Sequence, residues 1–437
     1  MRRSAGAALA AFFLAATAAQ ASSPPVLALP STPRPPQSAP RSPQSAPPGP
    51  VGPDLLFAQG EFAGARAGYE AVPRTSPNYE EALRQLGAIA LYQNHLGEAE
   101  AMLTEARARN PADQHAVELL AETLHRERKF PEMAQLLRHI GRPERAAEFE
   151  LFGNAEPYRV VGRQGAATID LLWAEPFPVV KASVNGVEGL FLIDTGAPEI
   201  VLDPEFARDA RVQTTPPVQG AAGGGKMAAA LFGRIAKFGL PGLETDDVPA
   251  MIVSTRGLSA SARNTRVAGV IGTEFLSQFR STLDYPRDRL ILEPRDAPQR
   301  AGASIAEIPF WFVGDHILLA SGRLDAGPKQ LFFVNTGISG YALIAPESTL
   351  RDADVPAPTP QAPASRAITT LPTATFPIAR LALGTLAESN LTGLYGPFPP
   401  GLEKGLGVHV GGIVSHAFFH TYAVTFDFVR MTVDIRK

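Results

Sequence analysis

The sequence predicts a multidomain chain, with an all-α helical repeat followed by a mainly-β, internally duplicated half. Three observations predict it. A regular helical period runs through positions 54–150, with Phe62, Leu96 and Phe130 each opening a run at the same interval. After about Pro157 that period gives way to short runs of Val, Ile, Leu and Phe between Gly and Pro turns, the pattern of strands. Within the β region, two long segments recur, the first around Asp194 and again around Asn335, the second around Gly272 and again around Ser415. The 437 residues, 45% hydrophobic and 19% charged, leave room for about three globular domains at roughly 150 residues each.

Composition excludes several function classes. Forty Lys and Arg against 43 Asp and Glu give a net charge of −3, without the basic excess expected of a nucleic-acid binder. The chain has no cysteine, which rules out a disulfide framework, thiolate-bound zinc, an iron–sulfur cluster and a thiol nucleophile.

Positions 1–21 read as a signal peptide. Arg2 and Arg3 precede an apolar run from Ala7 to Ala16, and Ala19-Gln20-Ala21 offers a small-residue cleavage site. No later segment has the ~20 unbroken apolar residues of a spanning helix. The expectation is export to a bacterial periplasm or the cell exterior, with no stable membrane span. Residues 22–53, dominated by Pro, Ser and Ala, have too little apolar surface to offset their ordering entropy and are expected to form a disordered linker.

In residues 54–150, Ala65, Ala99 and Met133 share the spacing of Phe62, Leu96 and Phe130, as do Tyr69, Leu103 and Leu137. Ala82, Leu86 and Ala90 correspond to Ala116, Leu120 and Leu124 on one helix face. Two helices per period, with small residues where helices approach, resemble the tetratricopeptide repeat. That resemblance implies a short solenoid, either a helical spacer or a groove for a peptide or partner protein. Its core is expected to be separate from that of the β lobes, with Leu96 among the residues packed between helices.

The duplication carries the chemistry. Leu190-Phe191-Leu192-Ile193-Asp194-Thr195-Gly196-Ala197 is matched by Leu331-Phe332-Phe333-Val334-Asn335-Thr336-Gly337-Ile338. Downstream, Val270-Ile271-Gly272 aligns with Ile413-Val414-Ser415, and Thr282-Leu283-Asp284-Tyr285 with Thr425-Phe426-Asp427-Phe428. Two lobes follow, 157–300 and 301–437. An apolar strand ending in Asp194-Thr195-Gly196, with an apolar-apolar-Gly segment downstream that ends at Gly272, resembles the retropepsin-like and pepsin-like aspartic peptidases. The resemblance implies duplicated acid-protease barrel lobes, a peptide or protein substrate and no metal or organic cofactor. It further implies that Asp194 is a catalytic carboxylate, with Thr195 and Gly196 shaping its loop. Thr336 and Gly337 would complete a pseudo-dyad, and Gly272 would support the first loop from behind.

The departures from the family pattern are as informative. Asn335 stands where a second aspartate belongs, Ser415 replaces a Gly, and Ile338 replaces a small residue. An amide cannot share or donate the proton that a carboxyl would. Three routes keep an enzyme open: pairing of first lobes in a homodimer, deamidation of Asn335, or slow turnover by Asp194 with a water held by Asn335. The opposing reading is an inactive pseudo-peptidase that binds peptides. The stretch Gly220 to Lys226, with Gly223 and Gly224, has phosphate-loop spacing, but Met227 stands where a magnesium-binding hydroxyl is required. It is expected instead to be a flap over substrate. The stretch around Ala362 to Pro372 is its second-lobe counterpart. His409, His416 and His420 read as structural rather than metal-binding, since the residues between the last two are apolar.

Overall fold

The computed structural model describes residues 52–437 apart from 163–164, 217, 223–225, 300–301, 360–372, 397 and 399–401. The signal-peptide segment, nearly all of the Pro-rich linker, Gly223, Gly224 and the Ala362–Pro372 stretch lie outside the described residues.

The described chain begins with helices: α1 (Pro53–Ala58), α2 (Phe62–Glu70), α3 (Tyr79–Tyr92), α4 (Leu96–Arg109), α5 (Gln114–Arg126), α6 (Phe130–His139) and α7 (Pro143–Glu150). Three of them start at Phe62, Leu96 and Phe130, where the period places them. Local chemistry sets several ends. Asp113 caps α5 by accepting from the amides of His115 and Ala116 at 3.0 and 3.2 Å, satisfying donors that the first turn leaves open. Proline stands in the first turn of α1, α6 and α7, where its missing N–H costs nothing. Each helix packs on the next, and Gly87 brings α3 so close to α4 that a Cβ there would lie 2.6 Å from Leu103 Cγ. No helix among the described residues is long and apolar enough to cross a membrane.

Two β lobes follow, and they repeat one topology. In the first, strand Val187–Ile193 runs parallel to Gly269–Ile271, which pairs antiparallel with Ile200–Leu202. In the second, Gln330–Asn335 runs parallel to Val410–Ser415, which pairs antiparallel with Leu343–Ala345. The lobes join through a continuous sheet in which Phe279–Asp284 pairs with Ala423–Asp427. At that junction Thr282 faces Thr425, with their hydroxyls 2.8 Å apart. The pseudo-two-fold passes there.

The expectation of separate cores fails. The helical unit and the second lobe share one apolar core, in which Phe62, Leu103 and Phe130 belong with Leu331, Phe333, Ile338 and Ile413. The second lobe's sheet has apolar side chains on both faces. Phe332 and Val334 point into the core that runs through both lobes, while Leu331 and Phe333 point the other way, and the helices cover them. Phe62 packs on Trp311 at 5.2 Å between ring centroids. Gly60, at φ +74, allows a close approach in which a Cβ would lie 2.5 Å from Leu331 Cδ1. Leu96 is only half-buried at the rim of this core.

Candidate active site

Asp194 and Asn335 stand at the ends of the two parallel strands, carried there by buried apolar runs on either side of the pseudo-two-fold. Thr195 and Thr336 lock the loops reciprocally. Each threonine backbone N–H donates to the other's Oγ1 at 3.0 Å, and the Thr195 hydroxyl in turn donates to the carbonyl of Val334 at 3.2 Å. The glycines are dictated by proximity. A Cβ on Gly196 would lie 1.9 Å from Asn335 Nδ2, and one on Gly337 would lie 2.0 Å from Asp194 Cγ. Asp194 and Asn335 therefore face each other across the junction of the lobes, and the pairing is completed within a single chain.

The two side chains are held alike. Gly196 N–H donates to Asp194 Oδ1 at 2.7 Å, and Gly337 N–H donates to Asn335 Oδ1 at 2.8 Å. Both residues are 0% exposed, and Asp194 Oδ2 and Asn335 Nδ2 have no hydrogen-bond partner among the described residues. Burial pushes the Asp194 pKa up from 3.8 to about 6, against the downward pull of the Gly196 amide, the nearby His316 and the Gly337 amide. A carboxyl poised there can hold or release a proton near neutrality.

Gly272 lies close against the chain that leaves the first loop. A Cβ on it would meet the carbonyl oxygens of Glu199 and Ala197 at 2.3 and 2.7 Å. The segment it closes accepts from Asp194 N–H through Ile271 O at 3.0 Å, and Thr273 Oγ1 donates to Thr195 O at 2.9 Å. The equivalent Ser415 has the same extended backbone as Gly272, and its hydroxyl is used on both sides. It donates to Tyr341 O and accepts from Ala417 N–H at 3.1 Å, capping the short helix His416–Phe419. The strand pair Val218–Ala222 and Lys226–Leu240 forms a hairpin between the two motifs of the first lobe. His416 is buried against Tyr285, with Nε2 3.3 Å from Glu175 Oε1, a setting that uses it in packing between lobes.

Residues 180–275 match the aspartyl protease family model. The first lobe is a retropepsin-like aspartyl protease lobe. That model describes hydrolases of the aspartic peptidase type. Among solved structures, a retropepsin-like aspartic protease from Rickettsia conorii is similar at 18% identity, over 31% of this chain and 94% of that one, with a TM-score of 0.21. At that score the superposition carries no argument, and the fold stands on the strand pairings above. No curated protein matches the chain.

Sequence reasoning missed a buried ionisable cluster beside the protease loops. Glu199, shortly after Asp194, and Glu274, shortly after Gly272, face Arg145 and Glu148 of α7 and His125 of α5. Arg145 lies 3.6 Å from Glu199 and also pairs with Glu148, and its guanidinium sits 4.7 Å from the centroid of the Phe232 ring. Tyr158 donates to Glu274 Oε2 at 3.0 Å. Burial raises the pKa of Glu199 to about 7 and of Glu274 to about 8, and holds Glu148 well above the carboxylate range. Burial likewise lowers His125 to about 3, so at neutral pH its contact with Glu274 is not an ion pair. Glu199 and Glu274 lie just past the two motifs in the sequence. Their partners lie far upstream in the helices, and no local pattern announces them.

Proposed function

We propose that the chain is an exported aspartic endopeptidase that hydrolyses peptide bonds with water activated by Asp194. The observation that carries this reading is the reciprocal Thr195–Thr336 lock, which holds a buried, near-neutral carboxyl opposite Asn335. In the reaction Asp194, as carboxylate, takes a proton from water while the hydroxide oxygen adds to the scissile carbonyl carbon. Asn335 Nδ2 donates a hydrogen bond to the developing oxyanion without giving up a proton. The C–N bond then breaks, and the proton held by Asp194 passes to the leaving nitrogen. The burial of Thr336 N–H in the lock argues against deamidation, which needs that nitrogen to attack the Asn335 carbonyl. In this reading the helices form a tetratricopeptide-like solenoid, the Val218–Leu240 hairpin is a flap, and the hydrophobic N-terminus directs export.

A second reading, a peptide-binding pseudo-peptidase, is favoured by the substitution at Asn335 and the complete burial of both side chains. One experiment separates the two. Purified chain is incubated with a mixed peptide library between about pH 3 and 7, the span over which paired carboxyls change protonation, with Asp194→Asn as control. Cleavage that vanishes in the variant supports the peptidase. Peptide retention with no cleavage in either protein supports the binding module.

A further inference from the structure

The helical unit meets the two lobes by contrasting means. Against the second lobe the contact is apolar and continuous: among the described residues, none of 157–300 enters the core that the helices share with residues 301–437. Polar links reinforce it. Arg126 donates to the carbonyls of Phe312 and Gly314 at 2.8 and 2.7 Å, and the amide of His409 donates to Ala58 O at 2.8 Å. Against the first lobe the named contacts are ionic, hydrogen-bonded or cation–π. They comprise the cluster around Arg145, the donation from Arg234 to Leu151 O at 3.0 Å, and the link from Arg128 to Gln278. Asp194 and Asn335, at the seam between the lobes, have no exposed surface, and Ile338 beside them is buried against the helices' core. A peptide chain cannot reach a carboxyl so enclosed. Access requires movement, and the two interfaces say where it occurs.

We propose that the helical unit is a strap, fused to the second lobe and clasped to the first, which holds the lobes closed over Asp194 and Asn335 and releases the first lobe as pH rises. The clasp is built on buried carboxyls. Glu148 and Glu199 converge on the same buried guanidinium of Arg145, and Glu148 Oε1 and Glu274 Oε1 have no hydrogen-bond partner among the described residues, an enclosure that disfavours ionising all of them. Glu274 adds a third carboxyl, and Asp315, from the turn of the second lobe that meets α5 and α7, adds negative charge. Arg145 is the cation common to Glu148, Glu199, Glu274 and Asp315. His316 pairs with Asp315, and Arg126 with Glu122; among the described residues neither forms an ion pair with Glu199 or Glu274. One guanidinium therefore faces three glutamates once their protons leave. A carboxyl whose pKa is raised in the closed form favours that form below its free value near 4.5 and ceases to as pH passes its raised value. Between the two, each such group lowers the closed-to-open ratio about tenfold per pH unit.

The inference rests on the peptidase reading only for the purpose of the motion, and its test does not use turnover. With no cysteine in the sequence, pairs of introduced cysteines can be spin-labelled on the full chain at exposed positions. Glu132 with Asp209 reports helices against the first lobe, and Glu132 with Ser348 reports helices against the second. Distances are measured by double electron–electron resonance at pH 5 and pH 8.5. The expected result is a narrow Glu132–Asp209 distance at pH 5 that gains a longer population at pH 8.5, while Glu132–Ser348 stays fixed. In a background carrying Glu199→Gln and Glu274→Gln, which cannot ionise, the longer population should be lost. An unchanged first distance, equal lengthening of both, or opening that persists in the glutamine background overturns the proposal. A moving strap on a chain that never cleaves peptides would retire the peptidase reading alone.

Discussion

Asp194→Asn tests the site through stability as well as through activity. The carboxyl is wholly buried, and its pKa stands at about 6 against 3.8 when free. A folded-state value above the unfolded one means that stability is fully present below about pH 3.8 and is lost as pH rises through 6. The shift of about two units corresponds to roughly 3 kcal/mol at neutral pH. An amide at position 194 removes that loss, and Asn335 already shows how an amide fits such a loop, with its Oδ1 accepting from Gly337 N–H. The variant should match the parent near pH 4 and exceed it by about 3 kcal/mol at pH 7 to 8. The measurement is urea unfolding of both proteins across that range. Glu148, Glu199 and Glu274 titrate in both, so the difference isolates Asp194. Peptide cleavage, where the parent shows it, should vanish in the variant. A stability difference that is flat from pH 4 to 8 would refute the buried-carboxyl argument.

Other perturbations follow from the same contacts. Asn335→Asp places a second carboxyl against Asp194, and the pair should share a proton, giving a gain in acid-range peptide cleavage and tighter binding of a statine-type mimic. An inert but folded variant would show that the missing carboxyl is not what limits the site. Ser415→Gly should lower the melting temperature without aiding that gain, because the hydroxyl caps the His416–Phe419 helix; a neutral or helpful effect would count against the cap. Thr336→Val strands the buried N–H of Thr195 and should cost about 1–3 kcal/mol in urea unfolding, with an unchanged midpoint contradicting the reciprocal lock. Phe62→Ala should destabilise the helices and the second lobe together by about 3–5 kcal/mol; calorimetry that shows the helices melting alone would restore the separate-core view.

The sequence made the duplication legible because each strand end is a local string. Asp194-Thr195-Gly196 and Asn335-Thr336-Gly337 are short motifs, and their offset is arithmetic. It made the helix starts legible for the same reason, since Phe62, Leu96 and Phe130 mark a period. What it hid was the partner of each apolar face. Leu331 and Phe333 alternate with Phe332 and Val334 along one strand, and an apolar run of that kind is compatible with a strand buried on both sides. Nothing in it says that helices far upstream supply the second cover. Leu96 shows the converse, a residue at the repeating position that ends at the rim because the second lobe, not the next helix, fills the centre. The ionisable cluster was hidden in the same way, as a meeting of α5, α7 and both lobes around Arg145.

The asymmetry between the lobes follows from what each side of the dyad touches. The first lobe keeps Asp194, Ala197 and Gly272, and its matching apolar face is closed by its own residues, with Leu192, Ala197 and Val270 packed with Leu258 and Val267. The second lobe carries Asn335, Ile338 and Ser415, and that same face is closed by the helices. Ile338 extends the apolar surface toward them, and Ser415 anchors its loop with a side chain where the first lobe relies on close backbone approach. These substitutions read as adaptation to a permanent neighbour. An amide at Asn335 fits that setting, since a second carboxyl buried beside Asp194 would add another charge to desolvate. The half of the dyad without a carboxyl is the half fused to the helical unit, and the half that carries one belongs to the lobe that meets the helices through buried carboxyls.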